Sequence, residues 1–295
     1  MPNSADTAVL PKAASAQPSA PTVVIRPSRG WASLQLAALW EYRELLYFLV
    51  WRDVKVRYKQ TVLGVLWIIL QPVVSMVVFS ALFGGLLDVP SGGVPYPIFL
   101  YSALLPWNYF SGSLTRSSAS VVGSANLIRK VYFPRLVIPI SGVVSGLVDF
   151  AVAFSVLAAL MLFYRVAPTP AVLLLPAFIL LAMATSLGFG LWLSALNVRF
   201  RDVGYLVPFL VQIWMYLTPV IYPVTLIPER LRWLLALNPM TGVVEGFRWA
   251  LLGAHLEDAA PPGGLFYASI AIALGVLVSA LVFFRRTERT FADVI

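Results

Sequence analysis

The chain has 295 residues, 60% of them apolar and only 12% charged, with a formal net charge of +8 and no cysteine. That is too little polar surface for a water-soluble globule of this size, so most of its solvent must be lipid. Disulfide frameworks and thiolate metal sites are excluded, and the basic excess requires no nucleic acid once it is read as a signal of membrane topology.

Residues 1–30 are rich in Pro, Ala and Ser, with Lys12, Arg26 and Arg29 as their basic groups and no signal-peptide core. They read as a disordered cytosolic tail, and 31–295 as one transmembrane domain. Residues 31–59 are helix-like. Tyr47, Val50, Trp51, Val54 and Tyr58 recur at spacings of three and four, Arg52, Lys55 and Lys59 take another face, and Asp53 is placed to pair with Arg57 at i, i+4. An amphipathic helix lying along the inner leaflet is expected, and its basic groups suit an anionic head group.

Six segments then carry the roughly 20 apolar residues that a bilayer crossing needs. They are 62–87, 94–115, 136–164, 166–197, 203–222 and 259–284. With the N-terminus inside, all but four of the 21 Lys and Arg residues fall on the inner side; the exceptions are Arg165, Arg230, Arg232 and Arg248. The positive-inside rule then places both termini in the cytosol. The fold class is an all-α polytopic membrane protein.

The linker 124–134 sets Asn126, Leu127 and Ile128 before Arg129 and Lys130, then Val131, Tyr132 and Phe133. Apolar groups beside charges on a short cytosolic helix suit a groove in a soluble partner. Arg199, Arg201 and Asp202 make a tighter inner turn that can touch the same partner or a lipid head group. Between the fifth and sixth segments, 228–253 reads as two short helices, the second with Asn238 as N-cap, Pro239 at its first position and Gly253 as its stop. Too short to span, these are expected to dip into the outer leaflet as a re-entrant hairpin whose backbone is buried in protein or lines a wet passage.

The missing chemistry is informative. None of the four lysines follows a glycine, so there is no Walker A loop, and the single histidine, His255, makes no cluster of metal ligands. Asp149 is the one ionisable residue within the six segments and needs a partner, with Ser145 or another hydroxyl the nearest choice. Trp67, Tyr101, Trp107, Tyr109, Phe110, Trp214, Tyr216 and Tyr222 suit interface belts or core. Flat rings also let a glycan slide, and Trp67 and Tyr101, at mid-segment, are the better candidates for lining a conduit.

From about residue 35 onward the chain resembles the permease subunit of type-2 ABC exporters of polysaccharides, the O-antigen, capsule and teichoic-acid group. The residues that carry the likeness are Arg52-Asp53-Val54-Lys55-Val56-Arg57-Tyr58, Leu63-Gly64-Val65-Leu66-Trp67 with Gln71-Pro72, and Leu105-Pro106-Trp107-Asn108. Asn126-Leu127-Ile128-Arg129-Lys130-Val131-Tyr132-Phe133-Pro134, Asn197-Val198-Arg199-Phe200-Arg201-Asp202, Pro219-Val220-Ile221-Tyr222 and Asn238-Pro239 complete the set. The resemblance implies a homodimer in the bacterial inner membrane, with two nucleotide-binding subunits holding ATP and Mg while this chain binds no cofactor or metal and has no catalytic residue. It implies that 124–133 is the coupling helix, acting through Ser124, Asn126, Leu127, Ile128, Arg129, Lys130, Tyr132 and Phe133. It also implies a cytosolic gate, where Arg52, Lys55, Arg57, Tyr58, Lys59, Arg199 and Arg201 meet the head group of a polyprenyl-diphosphate-linked polysaccharide. Two other readings stand beside it: an ABC exporter of a drug or small lipid, and a membrane-embedded glycosyl or lipid-modifying enzyme using Glu229, Glu245, Glu257 and Asp258.

Overall fold

In the computed structural model of the chain, residues 36–59, 66–257, 261 and 263–291 are described, and every regular element among them is helical. The expected tail 1–30, the start of the interfacial segment, the Leu63-Gly64-Val65 motif residues and Asp258 lie outside the described residues. The helices are α1 (Leu36–Glu41), α2 (Arg43–Tyr58), α3 (Leu66–Phe79), α4 (Tyr96–Gly123), α5 (Ala125–Lys130) and α6 (Val137–Val144). They continue as α7 (Gly146–Phe163), α8 (Leu175–Arg199), α9 (Val203–Leu217), α10 (Glu229–Ala236), α11 (Pro239–Leu252) and α12 (Gly264–Thr287).

Four stretches among the described residues are long and apolar enough to cross a membrane: Leu66–Leu86, Val137–Phe163, Pro170–Arg199 and Phe266–Thr290. The first runs from α3 into a π-helical stretch, Ser80–Leu86, and the second joins α6 to α7. Helix α4, at 28 residues or about 42 Å, has the length but is more polar. Its position explains why. It packs against α3, α6, α7, α8, α9 and α11, so its surface is protein rather than lipid. Several of its serine and threonine hydroxyls are satisfied locally, as when Thr115 donates to the Ser111 carbonyl and Ser118 to that of Thr115.

Two segment boundaries differ from expectation. Helix α4 passes its expected end at 115 and continues to Gly123, which puts Arg116 on the helix instead of in a linker. Helix α9 stops at Leu217 after 15 residues, about 22 Å, short of the expected end at 222. The cause is Pro219. It drives Thr218 into an extended conformation, at φ −99° and ψ 138°.

Close packing rests on small residues, as lipid-embedded helices require. A Cβ on Gly188 of α8 would lie 3.1 Å from the Leu277 Cα of α12. A large apolar cluster contains Tyr101, Phe110, Phe178 and Phe247, and a smaller one joins Leu49 of α2 and Ile128 of α5 to Phe133, Leu136, Phe284 and Phe291. The smaller cluster seats α2 and α5 on the bundle. By contrast, α3 and α9 expose Trp67, Val77, Phe209 and Leu217.

Candidate functional site

Three helices distant in sequence bring four polar side chains together. From the last turn of α2, Arg57 forms an ion pair with Asp149 of α7, and the Tyr58 hydroxyl donates to the other carboxylate oxygen. From α4, Arg116 approaches the same carboxylate at 3.4 Å, donates its Nε to the Gly142 carbonyl at 3.0 Å, and reaches the Ser113 hydroxyl at 3.1 Å. Gly146 makes this possible. A Cβ there would collide with the Arg116 guanidinium and the Ser113 hydroxyl. Burial, followed by the hydrogen bond to Asp149, pushes the Tyr58 phenol above its ordinary value, so it stays protonated and remains a donor at neutral pH.

Asp149 therefore takes a hydroxyl partner as expected, that of Tyr58 and not of Ser145, and gains two arginines besides. Ser145 donates instead to the Gly142 carbonyl at 3.2 Å. The expected Asp53–Arg57 pair does not form either: Arg52 donates to Asp53 at 2.8 Å, and Ser141 donates to the other oxygen of Asp53 at 3.3 Å. Arg57 pairs instead with Asp149, which lies in an apolar helix and needs a counter-charge, while Asp53 is served by Arg52 and Ser141. The expected apolar stripe of α2 is only partly covered, with Val50, Val54 and Tyr58 half-buried. Tyr47 and Trp51 are exposed, while Leu49, with Tyr42, Leu45 and Leu46, packs on the protein.

The polar cluster opens on a cleft of about 420 Å³, with Trp67, Ile68, Pro72, Leu105 and Phe150 on its apolar side. A second cleft, about 500 Å³, is lined by Arg52, Arg57, Arg116, Ser120 and Ser124, and so runs from the cluster to the start of α5. Lys55 and Lys59 are exposed on α2; Arg199 and Arg201 stand on the exposed turn between α8 and α9, Arg199 lying 5.4 Å from the Phe200 ring centroid.

The segment 124–133 has two sides. Ile128 and Phe133 are buried in the smaller cluster, and Leu127 packs against it. Asn126, Arg129, Lys130 and Tyr132 are exposed, with Ser124 half-buried at the hinge. Arg135 anchors the segment from behind, donating to the Glu288 carbonyl and lying over the Phe291 ring. The exposed surface of the segment is thus mainly polar and aromatic, with Val131 beside it. Leu127, Ile128 and Phe133 hold it in place.

At the other end of α4, Arg248 of α11 is 2% exposed and donates to the carbonyls of Pro219 and Val220, each at 2.6 Å. It also pairs with Glu245 at 2.9 Å and lies 3.8 Å from the Phe99 ring centroid. It was counted from sequence among the outer-loop charges, but here it satisfies the irregular backbone that follows α9. Asn238 caps α11 as expected, accepting from Met240 N–H at 3.0 Å, and it also accepts from the Trp214 indole at 2.9 Å. The carboxylates at this end are divided, Glu229 facing Arg232 and Glu245 facing Arg248, while Glu245 and Glu257 line a cavity of about 600 Å³.

Comparison with known proteins fits this architecture. The description of the ABC-2 type transporter family matches residues 44–252. The chain belongs to that family. It is 33% identical to an O-antigen export system permease protein RfbA of Myxococcus xanthus, over 86% of this chain and 96% of the relative. A protein of the same description from Klebsiella pneumoniae is 29% identical over 85% of the chain and 95% of its own length. The polysialic acid transport protein KpsM of Escherichia coli is 25% identical over 70% and 81%. Together with the apolar helices, this makes the chain a multi-pass membrane permease subunit.

Within this ABC-2 type permease the aromatic residues fall into two groups. Tyr101, Trp107, Tyr109 and Phe110 are buried among helices of their own chain; Tyr101 donates to the Ala153 carbonyl at 3.2 Å and Phe110 meets Trp214 at 4.9 Å. Trp67 and Tyr216 are exposed, and Tyr222 is half-buried with its hydroxyl on the Tyr216 carbonyl at 3.0 Å. What sequence reasoning missed was Arg116 as a site residue. Its signal was a lone arginine one residue beyond a predicted apolar segment.

Proposed function

We propose that this chain is the transmembrane subunit of an ATP-driven exporter of polyprenyl-diphosphate-linked polysaccharide, O-antigen foremost. Two copies form the conduit, and two nucleotide-binding subunits carry ATP and Mg on the cytosolic side. Each copy crosses the bacterial inner membrane six times with both termini inside, α4 and the segment 203–222, α9 with the irregular stretch after it, adding two crossings to the four apolar stretches. Helices α10 and α11 dip into the outer leaflet at the exit. A multi-pass permease of this family without a Walker A loop needs its energy from a partner. The observation that carries the substrate assignment is near end-to-end similarity to relatives named as O-antigen export permeases.

The geometry supports a division of labour. Asn126, Arg129, Lys130 and Tyr132 would meet the nucleotide-binding subunit, with Ser124, Leu127, Ile128 and Phe133 setting their position. Arg52, Lys55, Arg57, Tyr58 and Lys59 would form the cytosolic gate, with Arg199 and Arg201 on a neighbouring turn. The exposed Trp67 and Tyr216 are the best-placed rings for a glycan path, since α3 and α9 present unburied surface to lipid or a second copy.

The test is transport in inverted vesicles holding the permease with its nucleotide-binding partner. ATP should drive lipid-linked polymer into the lumen in a length-tolerant manner. Uptake of small hydrophobic compounds with no movement of polymer would overturn the assignment in favour of a drug or small-lipid exporter.

A further inference from the structure

We infer that Asp149 is a built-in counter-anion occupying a lipid-diphosphate site, and that the substrate's diphosphate displaces it from Arg57 and Arg116. This rests on the proposed function, and it adds the fixed half of the site. The charge count comes first: two guanidiniums and a phenol converge on one carboxylate, which leaves a net positive charge beside a cleft. A diphosphate carries more charge and more acceptor oxygens than a carboxylate, and arginine binds it bidentately. It should therefore compete well for both guanidiniums.

The lining of the cleft suits such a ligand. Arg57, Arg116 and Tyr58 offer it charge and donors, and Trp67, Leu105 and Phe150 in the same lining offer apolar surface for the first prenyl units. Asp149 is about a quarter exposed, so on release it can be solvated in the cleft instead of being stranded in apolar surroundings.

The two arginines are held differently. Arg116 is fixed by the Gly142 carbonyl and Ser113, with the absent Cβ of Gly146 giving it room. Arg57 and Tyr58 end α2, and both donate to Asp149. Exchange of anions would free the end of α2 from α7 while Arg116 stays in place. Because the neighbouring cleft links Arg57 and Arg116 to Ser124, occupancy of the site has a route to the coupling segment.

The experiment uses the full transporter with its nucleotide-binding partner in zwitterionic nanodiscs. Binding of labelled polyprenyl diphosphate is measured, with inorganic pyrophosphate and phosphatidylglycerol as competitors. Asp149→Asn should tighten binding about fivefold, whereas Arg116→Gln should weaken it about tenfold, as expected for gain and loss of charge-assisted hydrogen bonds. Gly146→Ala, which keeps every charge but displaces Arg116, should also weaken it. Competition by pyrophosphate alone marks a site for the diphosphate; competition by phosphatidylglycerol instead marks a general lipid-anion site and overturns the substrate assignment.

Weakening by Asp149→Asn in step with Arg116→Gln would overturn the inference, as would loss of folded protein in both Asp149→Asn and Asp149→Ser, since each makes the carboxylate a brace. If wild-type transporter binds the lipid and none of the variants changes it, this inference fails and the proposed function stands. If wild-type transporter binds no polyprenyl diphosphate, the proposed function fails as well.

Discussion

Two arginines lie within the protein near opposite ends of α4, and they are satisfied in opposite ways. Arg248 is spent on its own neighbourhood, with a glutamate three residues away, carbonyls from the turn after α9, and the face of Phe99. Arg116 shares one carboxylate with an arginine from another helix, across sequence separations of 33 and 92 residues, beside an open cleft. A charge neutralised locally and shut away from solvent serves the fold. A charge shared between helices distant in sequence with positive excess, next to space for a ligand, is available for exchange.

The sharpest way to break this contrast is Arg248→Ala, which leaves Glu245 and two buried carbonyls without their donor. A loss of about 3–5 kcal/mol is expected, seen as absence of a monodisperse species after detergent extraction and as a lowered Tm. Arg248→Lys should recover little, because an ammonium cannot reproduce the fork of a guanidinium. Arg116→Gln, in contrast, should extract and melt like wild type while export of lipid-linked polymer in vesicles falls about tenfold, the size of one lost charged hydrogen bond. If both arginine variants lose stability equally, the distinction between the two ends collapses.

Smaller effects sharpen the inner region. Tyr132→Ala, which removes an exposed ring, should lower substrate-stimulated ATP hydrolysis about threefold without altering permease stability. Ile128→Glu buries a charge in the cluster under α5 and should destabilise first, so normal extraction of that variant would contradict the placement of Ile128. The smallest change expected is Tyr58→Phe. It removes one donor to Asp149 and should alter transport by about twofold. Since the phenol lies above its ordinary value, the wild-type pH profile should show no Tyr58 step near neutrality; the contribution of the protonated hydroxyl would be lost only as pH rises through the elevated value.

Much of the all-helical membrane architecture was legible in the sequence because long apolar runs separated by basic linkers leave few alternatives. Asn238 and Pro239 likewise declared the start of α11 through local capping chemistry. What could not be read was pairing across distance. The i, i+4 rule joined Asp53 to Arg57 correctly as neighbours on one helix, but it could not know that Asp149, on a helix distant in sequence, would outbid it. Helix α4 was truncated at Thr115 because hydropathy ends where the serines begin, although a helix surrounded by protein needs no apolar coat. The aromatic residues of α3 and α4 looked equivalent in one dimension, and only packing separates the buried Tyr101 and Phe110 of α4 from the exposed Trp67 of α3.

The central claim is that this permease moves lipid-linked polysaccharide with energy supplied by a separate nucleotide-binding subunit. Its most direct test is ATP-dependent translocation of fluorescent polyprenyl-diphosphate glycan in proteoliposomes made with and without that partner. Translocation only with both proteins and hydrolysable ATP is the result expected. Nucleotide-driven movement by the purified chain alone, or none with the complete transporter, would contradict the account.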